Sequence, residues 1–245
     1  MLRKISALVK REITGYLTSP AAYVFIIIFL MLSGFFTFMI SDFFGANEAS
    51  LTPFFHWHPW LYLFLVPAVG MHLWSDERRL GTIELLFTMP VTILQCIVSK
   101  FLAAWLFIAV ALVCTFPIVW TVADLGQPDY GAILCGYLGS FLLAGSYLAV
   151  ASMTSAFTRS QVVSFIVSVV ICLFLILCGW PPVTNMLVEW APRQLLDLVA
   201  AFSFMPHFDG LKRGVIDTRD VLYYFSVIFF FLFCTGVILK SHRAG

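Results

Sequence analysis

The chain contains 245 residues, of which 61% are hydrophobic, 17% are aromatic and only 11% are charged. An ordinary soluble domain has about 45–50% apolar and about 25% charged residues, and a chain of this size leaves much of its surface exposed to solvent. The composition therefore argues against a soluble enzyme and a disordered chain, and the net charge of +1 provides no basic field for nucleic acid. It predicts an integral membrane protein.

The first 16 residues are predicted to form an amphipathic helix that lies in the membrane interface before the first span. Its apolar face consists of Ile5, Leu8 and Val9. Its charged residues, which we place mostly on the other sides, are Lys4, Lys10, Arg11 and Glu12. The alternative is a solvated, basic N-terminal tail.

Six long stretches of the sequence contain no Asp, Glu, Lys or Arg. About 20 apolar residues form a helix that crosses a hydrocarbon core of about 30 Å, and a charge in mid-span costs about 2.5–3.5 kcal/mol. We therefore predict an all-α fold with six transmembrane helices in a single transmembrane domain over residues 1–245. The stretches are residues 13–41, 49–75, 101–123, 130–158, 160–188 and 221–239.

The basic residues predict that both termini lie in the cytoplasm. With the N-terminus inside, the inner segments hold ten Lys and Arg residues and the outer loops hold four, all in the third loop. This asymmetry is the one that membrane proteins prefer, and an odd number of spans would place the termini on opposite sides.

The inner segment that follows residue 75 is predicted to form a short amphipathic helix. Five of the ten residues 75–84 are charged, and Leu80, Ile83 and Phe87 have the spacing of one apolar helical face. Pro90 then interrupts the pattern. Such a helix in the cytoplasm can receive force from another protein, whereas the alternative is a solvated turn anchored by arginine side chains that extend to the interface.

The last outer loop, over residues 181–220, is predicted to be partly helical and partly embedded in the membrane. It contains an apolar face around Leu195 and Phe202. A re-entrant element is an alternative there, because irregular backbone at membrane depth is tolerated where protein covers it. Asp217 and Asp220 are placed to cap the start of the sixth helix.

Several catalytic and binding motifs are absent from the sequence. No lysine is preceded by the glycines of a G-x-x-x-x-G-K phosphate loop, and the patterns H-E-x-x-H and G-x-S-x-G do not occur. The histidines His56, His58 and His207 offer only weak support for a metal site, so we predict none. Because the six stretches also lack charged residues, a carrier driven by an ion gradient is disfavoured.

Four segments carry a resemblance to a known family. They are residues 10–12 with Ser19, Pro20 and Tyr23; residues 77–78 and 81–86 with Pro90 and Lys100; residues 157–161; and residues 213–217 with Asp220, Val221 and Tyr223. In these segments the chain resembles the ABC-2 type permease subunits of ABC transporters, and it looks most like the gliding-motility-type branch. The resemblance extends over essentially the whole chain.

The resemblance implies a non-catalytic six-helix permease of the plasma membrane, the inner membrane in bacteria, which exports cargo by alternating access. It implies a second permease, identical or not, and two cytoplasmic ATPase subunits that bind the ATP and Mg²⁺, so that this chain needs no cofactor. An accessory protein at the first outer loop is a further expectation. Residues 1–16 become a connecting helix and residues 181–220 an outer gate. The gate residues are Arg213, Gly214, Asp217 and Asp220.

By the same resemblance, residues 76–88 form a coupling helix that docks on the ATPase. Its contact residues are Asp76, Glu77, Arg78, Arg79, Gly81, Thr82 and Glu84. Three other interpretations stay open at this point. The chain could anchor an ATPase complex without transporting anything, act as a gradient-driven carrier, or act on lipid as an intramembrane enzyme.

Overall fold

The computed structural model describes residues 2–41, 43–45, 48–81, 92–187, 199 and 201–241, with backbone only at residues 2–4. Within these residues the regular structure is helical. The helices are α1 (Leu2–Thr18), α2 (Pro20–Phe35, continued by a π-helical turn, Phe36–Ile40), α3 (Thr52–His56), α4 (His58–Gly70), α5 (His72–Leu80), α6 (Ile93–Val113), α7 (Pro117–Leu125), α8 (Tyr130–Phe157), α9 (Gln161–Leu177), α10 (Pro181–Leu187), α11 (Phe204–Lys212) and α12 (Thr218–Ser241).

Four helical segments of the described chain are long and apolar enough to cross a membrane. They are Pro20–Ile40, Ile93–Leu125, Tyr130–Phe157 and Thr218–Ser241. These segments correspond to the first, third, fourth and sixth predicted spans. The all-helical fold is therefore confirmed, whereas the number of six spans and the side on which the termini lie stay predictions.

The second predicted span, over residues 49–75, is not one continuous helix but three. Pro53 and Pro59 lie in the first turns of α3 and α4, where a missing N–H is tolerated, and Pro67 lies inside α4. Because Pro67 cannot donate a helical hydrogen bond, it weakens the helix there, and α4 ends three residues later at Gly70. Met71 then separates α4 from α5, so the crossing of the membrane by this segment stays a prediction.

The fifth predicted span, over residues 160–188, is also interrupted. Helix α9 is 17 residues long and ends at Leu177, and the chain resumes its helical path at Pro181. Two successive prolines at 181 and 182 begin the short helix α10, so the two helices are separate elements.

Helix α8 is the centre of the molecule. It is buried along most of its length and contacts α4, α5, α6, α9, α11 and α12. Small residues allow this close packing: a Cβ on Gly136 would collide with the ring of Phe55, and one on Gly145 would lie 2.7 Å from the indole of Trp105. These small residues of α8 therefore pack against helices of the same chain.

Helix α1 packs along α6, and the predicted N-terminal helix is present. Its half-buried residues follow a helical stripe, and the ring of Tyr16 stacks on Phe107 with 5.5 Å between ring centroids. The expectation that Glu12 faces away from this stripe is wrong. Glu12 is four residues after Leu8, which places both side chains on the packed side of the helix.

Replacing Gly70 with alanine tests the contact between α4 and α8. The added methyl would collide with Cβ of Ala151 and lie 3.5 Å from Leu148 Cδ1, both on α8. We expect the overpacking to cost about 1–3 kcal/mol and to lower the melting temperature of the detergent-solubilised protein by several degrees.

Gly34→Ala is the matched control, because nothing lies within 4 Å of the position that its Cβ would occupy. This variant should melt at the wild-type temperature or slightly higher, since alanine favours a helix. Equal melting temperatures for Gly70→Ala and wild type would contradict the close approach of α4 and α8.

Candidate functional site

The short helix α5 carries most of the charged residues predicted to contact a partner, and it begins at a break in the chain. Met71 separates it from α4. The first N–H groups of a helix have no partner within that helix, and here a side chain from α8 supplies one. The Ser155 hydroxyl accepts hydrogen bonds from the N–H groups of Trp74 and Ser75, at 2.9 and 3.0 Å. It also donates to the carbonyl of Met71, at 2.9 Å.

A lysine from α6 holds the middle of α5. Lys100 Nζ lies 2.8 Å from Glu77 Oε1, donates to the carbonyl of Leu73 at 2.9 Å and lies 5.2 Å from the ring centroid of Trp74. The Lys100 side chain is only 11% exposed. Charged hydrogen bonds with little contact to water are the stronger kind, so this lysine fixes α5 on α6.

Two further contacts join α5 to the end of α8 and to the start of α9. Asp76 accepts a hydrogen bond from Gln161 Nε2, and the Arg78 guanidinium donates to the carbonyl of Ala156. Burial, together with the nearby Arg159, lowers the pKa of the Arg78 guanidinium. We call Asp76, Glu77, Arg78 and Lys100 the α5 charge cluster.

The end of α5 is exposed. The Arg79 side chain is 62% exposed, its ion pair with Asp76 is long at 3.6 Å, and Leu80 is 68% exposed. Gly81 then adopts a left-handed conformation with φ of 69°, which ends the helix in the manner that glycine favours. Of the predicted contact residues, Thr82 and Glu84 lie outside the described residues.

Only the first residues of the predicted coupling helix, over residues 76–88, lie in the part of the chain that the structure describes. Helix α5 begins before them, at His72, and ends at Leu80, where Gly81 turns the chain. The apolar face of Leu80, Ile83 and Phe87 stays a prediction. Ile83 and Phe87 lie outside the described residues.

The charges of α1 lie beside the same cluster. Arg11 Nη2 is 2.8 Å from Glu12 Oε1, and this bond, with a further contribution from the Glu77 carboxylate, raises the pKa of the Arg11 guanidinium. Lys10 is exposed, and the side chain of Lys4 lies outside the described residues. The structure thus brings Arg11 and Glu12 towards α5 and leaves Lys10 facing outwards.

The opposite end of the bundle contains α11, which belongs to the predicted last outer loop and packs on α8. Along α11, Phe204 lies against Tyr147 of α8, with 5.1 Å between ring centroids, and Leu211 lies against Gly139. Helix α11 therefore follows α8 over about 12 Å, since these contacts are eight residues apart on α8. Its buried N-terminus is capped by Ser203, whose hydroxyl accepts from the Met205 N–H and donates to the Ile176 carbonyl. The loop is thus partly helical, whereas its position relative to the membrane stays a prediction, and Leu195 of the predicted apolar face lies outside the described residues.

Three of the four predicted gate residues, Arg213, Gly214 and Asp217, lie in the turn between α11 and α12, and Asp220 lies in the first turn of α12. Gly214 has φ of 85° and its Cβ position is 3.0 Å from Ala132, so both conformation and space require glycine. Asp217 Oδ1 accepts from the N–H of Arg219 at the start of α12, as predicted for a cap. Arg213 is exposed.

Asp220 has a different partner from the one predicted. Its Oδ1 lies 2.7 Å from His207 Nδ1, which joins the first turn of α12 to α11. The second ring nitrogen of His207 lies 3.2 Å from the carbonyl of Ala201. Sequence reasoning assigned Asp220 to capping, because nothing in the local pattern relates it to a histidine 13 residues earlier.

Removing the Ser155 hydroxyl should loosen the start of α5. In Ser155→Ala the N–H groups of Trp74 and Ser75 lose their shared acceptor in a buried place, which costs about 1–3 kcal/mol. We expect a melting temperature in detergent that is lower by about 5 °C. Ser226→Ala is the control, because Ser226 is exposed and bonds only its own helix, at Tyr223. If both variants have the same melting temperature, Ser155 does not stabilise the break between α4 and α5.

Removing the Lys100 charge should destabilise the α5 charge cluster. Lys100→Met removes the 2.8 Å ion pair between Lys100 Nζ and Glu77 Oε1, and we expect a loss of about 2 kcal/mol in the free energy of unfolding. Lys240→Met is the control, since Lys240 is exposed at the end of α12. A double-mutant cycle with Glu77→Leu measures the pair directly, and additive effects would show that Lys100 and Glu77 do not interact.

The comparison with known families agrees with this arrangement. The profile described as ABC-2 family transporter protein matches residues 61–239, which is more than half of the chain. No curated protein sequence matches the chain closely. The matched segment includes α5, Lys100, Ser155 and helix α11, and it contains helices long enough to cross a membrane. The chain is therefore a multi-pass membrane protein that belongs to the ABC-2 family of transporter proteins.

Proposed function

We propose that this chain is the permease subunit of an ABC transporter, and that a separate cytoplasmic ATPase drives it to export cargo by alternating access. The observation that carries the proposal is the exposed end of α5, where Arg79 and Leu80 project from a helix that is fastened to three neighbours. ABC-2 permeases are generally non-catalytic and work with ATPase subunits. ATP and Mg²⁺ would accordingly bind to the partner, because this sequence contains no phosphate loop.

The contacts of α5 provide a route for force. A push on Arg79 and Leu80 would reach α6 through Lys100, α8 through Ser155, and α9 through Gln161. ABC-type motion requires two packings of the spans whose relative stability depends on the nucleotide bound by the partner. A helix that is bonded to several spans moves them together rather than bending alone.

The assignment of contact residues follows from exposure. Arg79 and Gly81 are available to a partner, whereas Glu77 and Arg78 are engaged with Lys100 and Ala156 and position the helix from inside. Asp76, bonded to Gln161 and His72, belongs with the positioning residues. We propose that Thr82 and Glu84 extend the contact surface.

The assembly we propose contains two ATPase subunits and a second permease, identical or not. Helix α2 offers an apolar face to lipid or to that second permease, and its exposed side chains include Tyr23, Val24, Ile27 and Met31. Six spans with both termini in the cytoplasm, in the plasma membrane, complete the proposal. The place in the gliding-motility-type branch rests on the four resembling segments, and an accessory protein at the first outer loop is part of the same proposal.

A second function is supported by the same geometry. A membrane anchor that receives force from an ATPase without moving cargo would also need the fastened helix α5. The gate distinguishes the two functions, because only a transporter needs the turn around Gly214 and helix α11 to open. Reconstitution with the ATPase in proteoliposomes, followed by analysis of the lumen for ATP-dependent accumulation, separates transport from anchoring.

The partner requirement is tested by purifying the tagged chain from its own host. We expect a co-purifying subunit whose sequence contains G-x-x-x-x-G-K-[ST], and ATP hydrolysis by the complex. The chain alone should hydrolyse no ATP. Hydrolysis by the isolated chain, or a complex without such a subunit, would contradict the proposal.

The docking surface is tested by reversing one exposed charge. Arg79→Glu should weaken the association with the ATPase by about tenfold and leave the melting temperature of the isolated permease unchanged, since the ion pair of Arg79 among the described residues is long. Arg219→Glu makes the same change at the exposed start of α12 and should bind the ATPase normally. Equal affinities for the two variants would show that α5 is not the contact.

A further inference from the structure

A cavity of about 600 Å³ lies within the single chain, between α1, α2, α4, α5 and α6. Most of its wall is apolar and includes Tyr16, Phe25, Leu65 and Phe107. Its volume falls in the range of pockets that hold small amphipathic ligands. The helix contacts described above leave this cavity open.

The cavity reaches the outer surface of the helix bundle. Val24 and Ile28 of α2 line it, and both side chains are exposed on the outer surface of the bundle. An acyl chain from the bilayer can therefore enter from the side without passing through water. The lipid that surrounds the helices is also the nearest source of an apolar ligand for the cavity.

The other end of the cavity is charged, and both signs are present. Glu12 and Asp76 contribute carboxylates, while Lys100 contributes an ammonium and His72 an imidazole. Lys100 already has a close partner in Glu77, and His72 lies 3.2 Å from Asp76. An anionic headgroup would meet two carboxylates, and a purely cationic ligand would meet Lys100.

A headgroup that carries one positive and one negative charge fits both the two carboxylates and Lys100. A primary ammonium has three N–H donors for carboxylate oxygens, whereas a quaternary ammonium has none. The phosphate of the same headgroup would accept from Lys100 and His72. Such a lipid also has the acyl chain that the apolar wall requires.

We propose that this cavity binds a zwitterionic phospholipid with a primary ammonium, that is, a phosphatidylethanolamine. One acyl chain lies along Phe25 and Leu65, the ammonium contacts Glu12 and Asp76, and the phosphate faces Lys100. The bound lipid then joins α1 to α5, because Glu12 and Asp76 line the same cavity. The proposal concerns a site inside one chain and does not depend on transport or on an ATPase.

The test is native mass spectrometry of the full chain, delipidated in detergent and mixed with phosphatidylethanolamine, phosphatidylcholine and phosphatidylglycerol of identical acyl chains. We expect a one-to-one adduct that is dominated by phosphatidylethanolamine. Ala68→Phe places a ring in the cavity and should abolish the adduct. Ala109→Phe adds the same volume at a half-buried alanine of α6 that does not line the cavity, and it should retain the adduct.

Glu12→Gln keeps the side-chain volume and tests the headgroup contact without repacking the cavity. The variant should reduce the preference for phosphatidylethanolamine over phosphatidylglycerol by about tenfold, because a charged hydrogen bond becomes a neutral one. Equal adducts of the three lipids on the wild-type chain would overturn the proposal. An adduct that survives both Ala68→Phe and Glu12→Gln would overturn it as well.

Discussion

The structure depends most on one hydroxyl group. A helix that breaks within a membrane leaves backbone N–H and C=O groups unpaired where no water can hydrogen-bond to them. Another group of the protein therefore has to supply the hydrogen bonds. Ser155 of α8 does this for the break at Met71, since its hydroxyl contacts three backbone groups at once. The break is therefore stable only where α8 is present, and the direction of α5 is set by α8 rather than by its own sequence.

The other contacts of α5 follow from that direction. With its start fixed, Glu77 meets Lys100 of α6 and Asp76 meets Gln161 of α9, and the charges that would otherwise be costly near lipid find partners. Most charged side chains of α5 thus interact with groups of the same chain. The last turn, with Arg79 and Leu80, stays exposed, so under the proposed function one short segment both holds the bundle together and receives the push of a partner.

Much of this architecture could be predicted, because lipid requires long uncharged helices and the sequence shows where charges are missing. The breaks could not, since Pro67 in an apolar run is compatible with a bent helix as well as with two helices. Ser155 could not be recognised either, because no sequence pattern around a serine in an apolar run indicates its hydrogen-bond partners. Glu12 could have been placed correctly, because it lies four residues after Leu8 in one helix. The family and the charged segment were evident from the residues, whereas the partners of Asp220 and Lys100 required the fold.

The central position of α8 has a consequence for any dimer. Because its own chain surrounds it, a second permease can touch only peripheral helices such as α2. Sliding between two copies would then leave the packing around Gly70, Gly136 and Gly145 undisturbed. Each chain would move as a stiff unit about a surface seam, and the exposed tip of α5 would act as the short arm that rotates it.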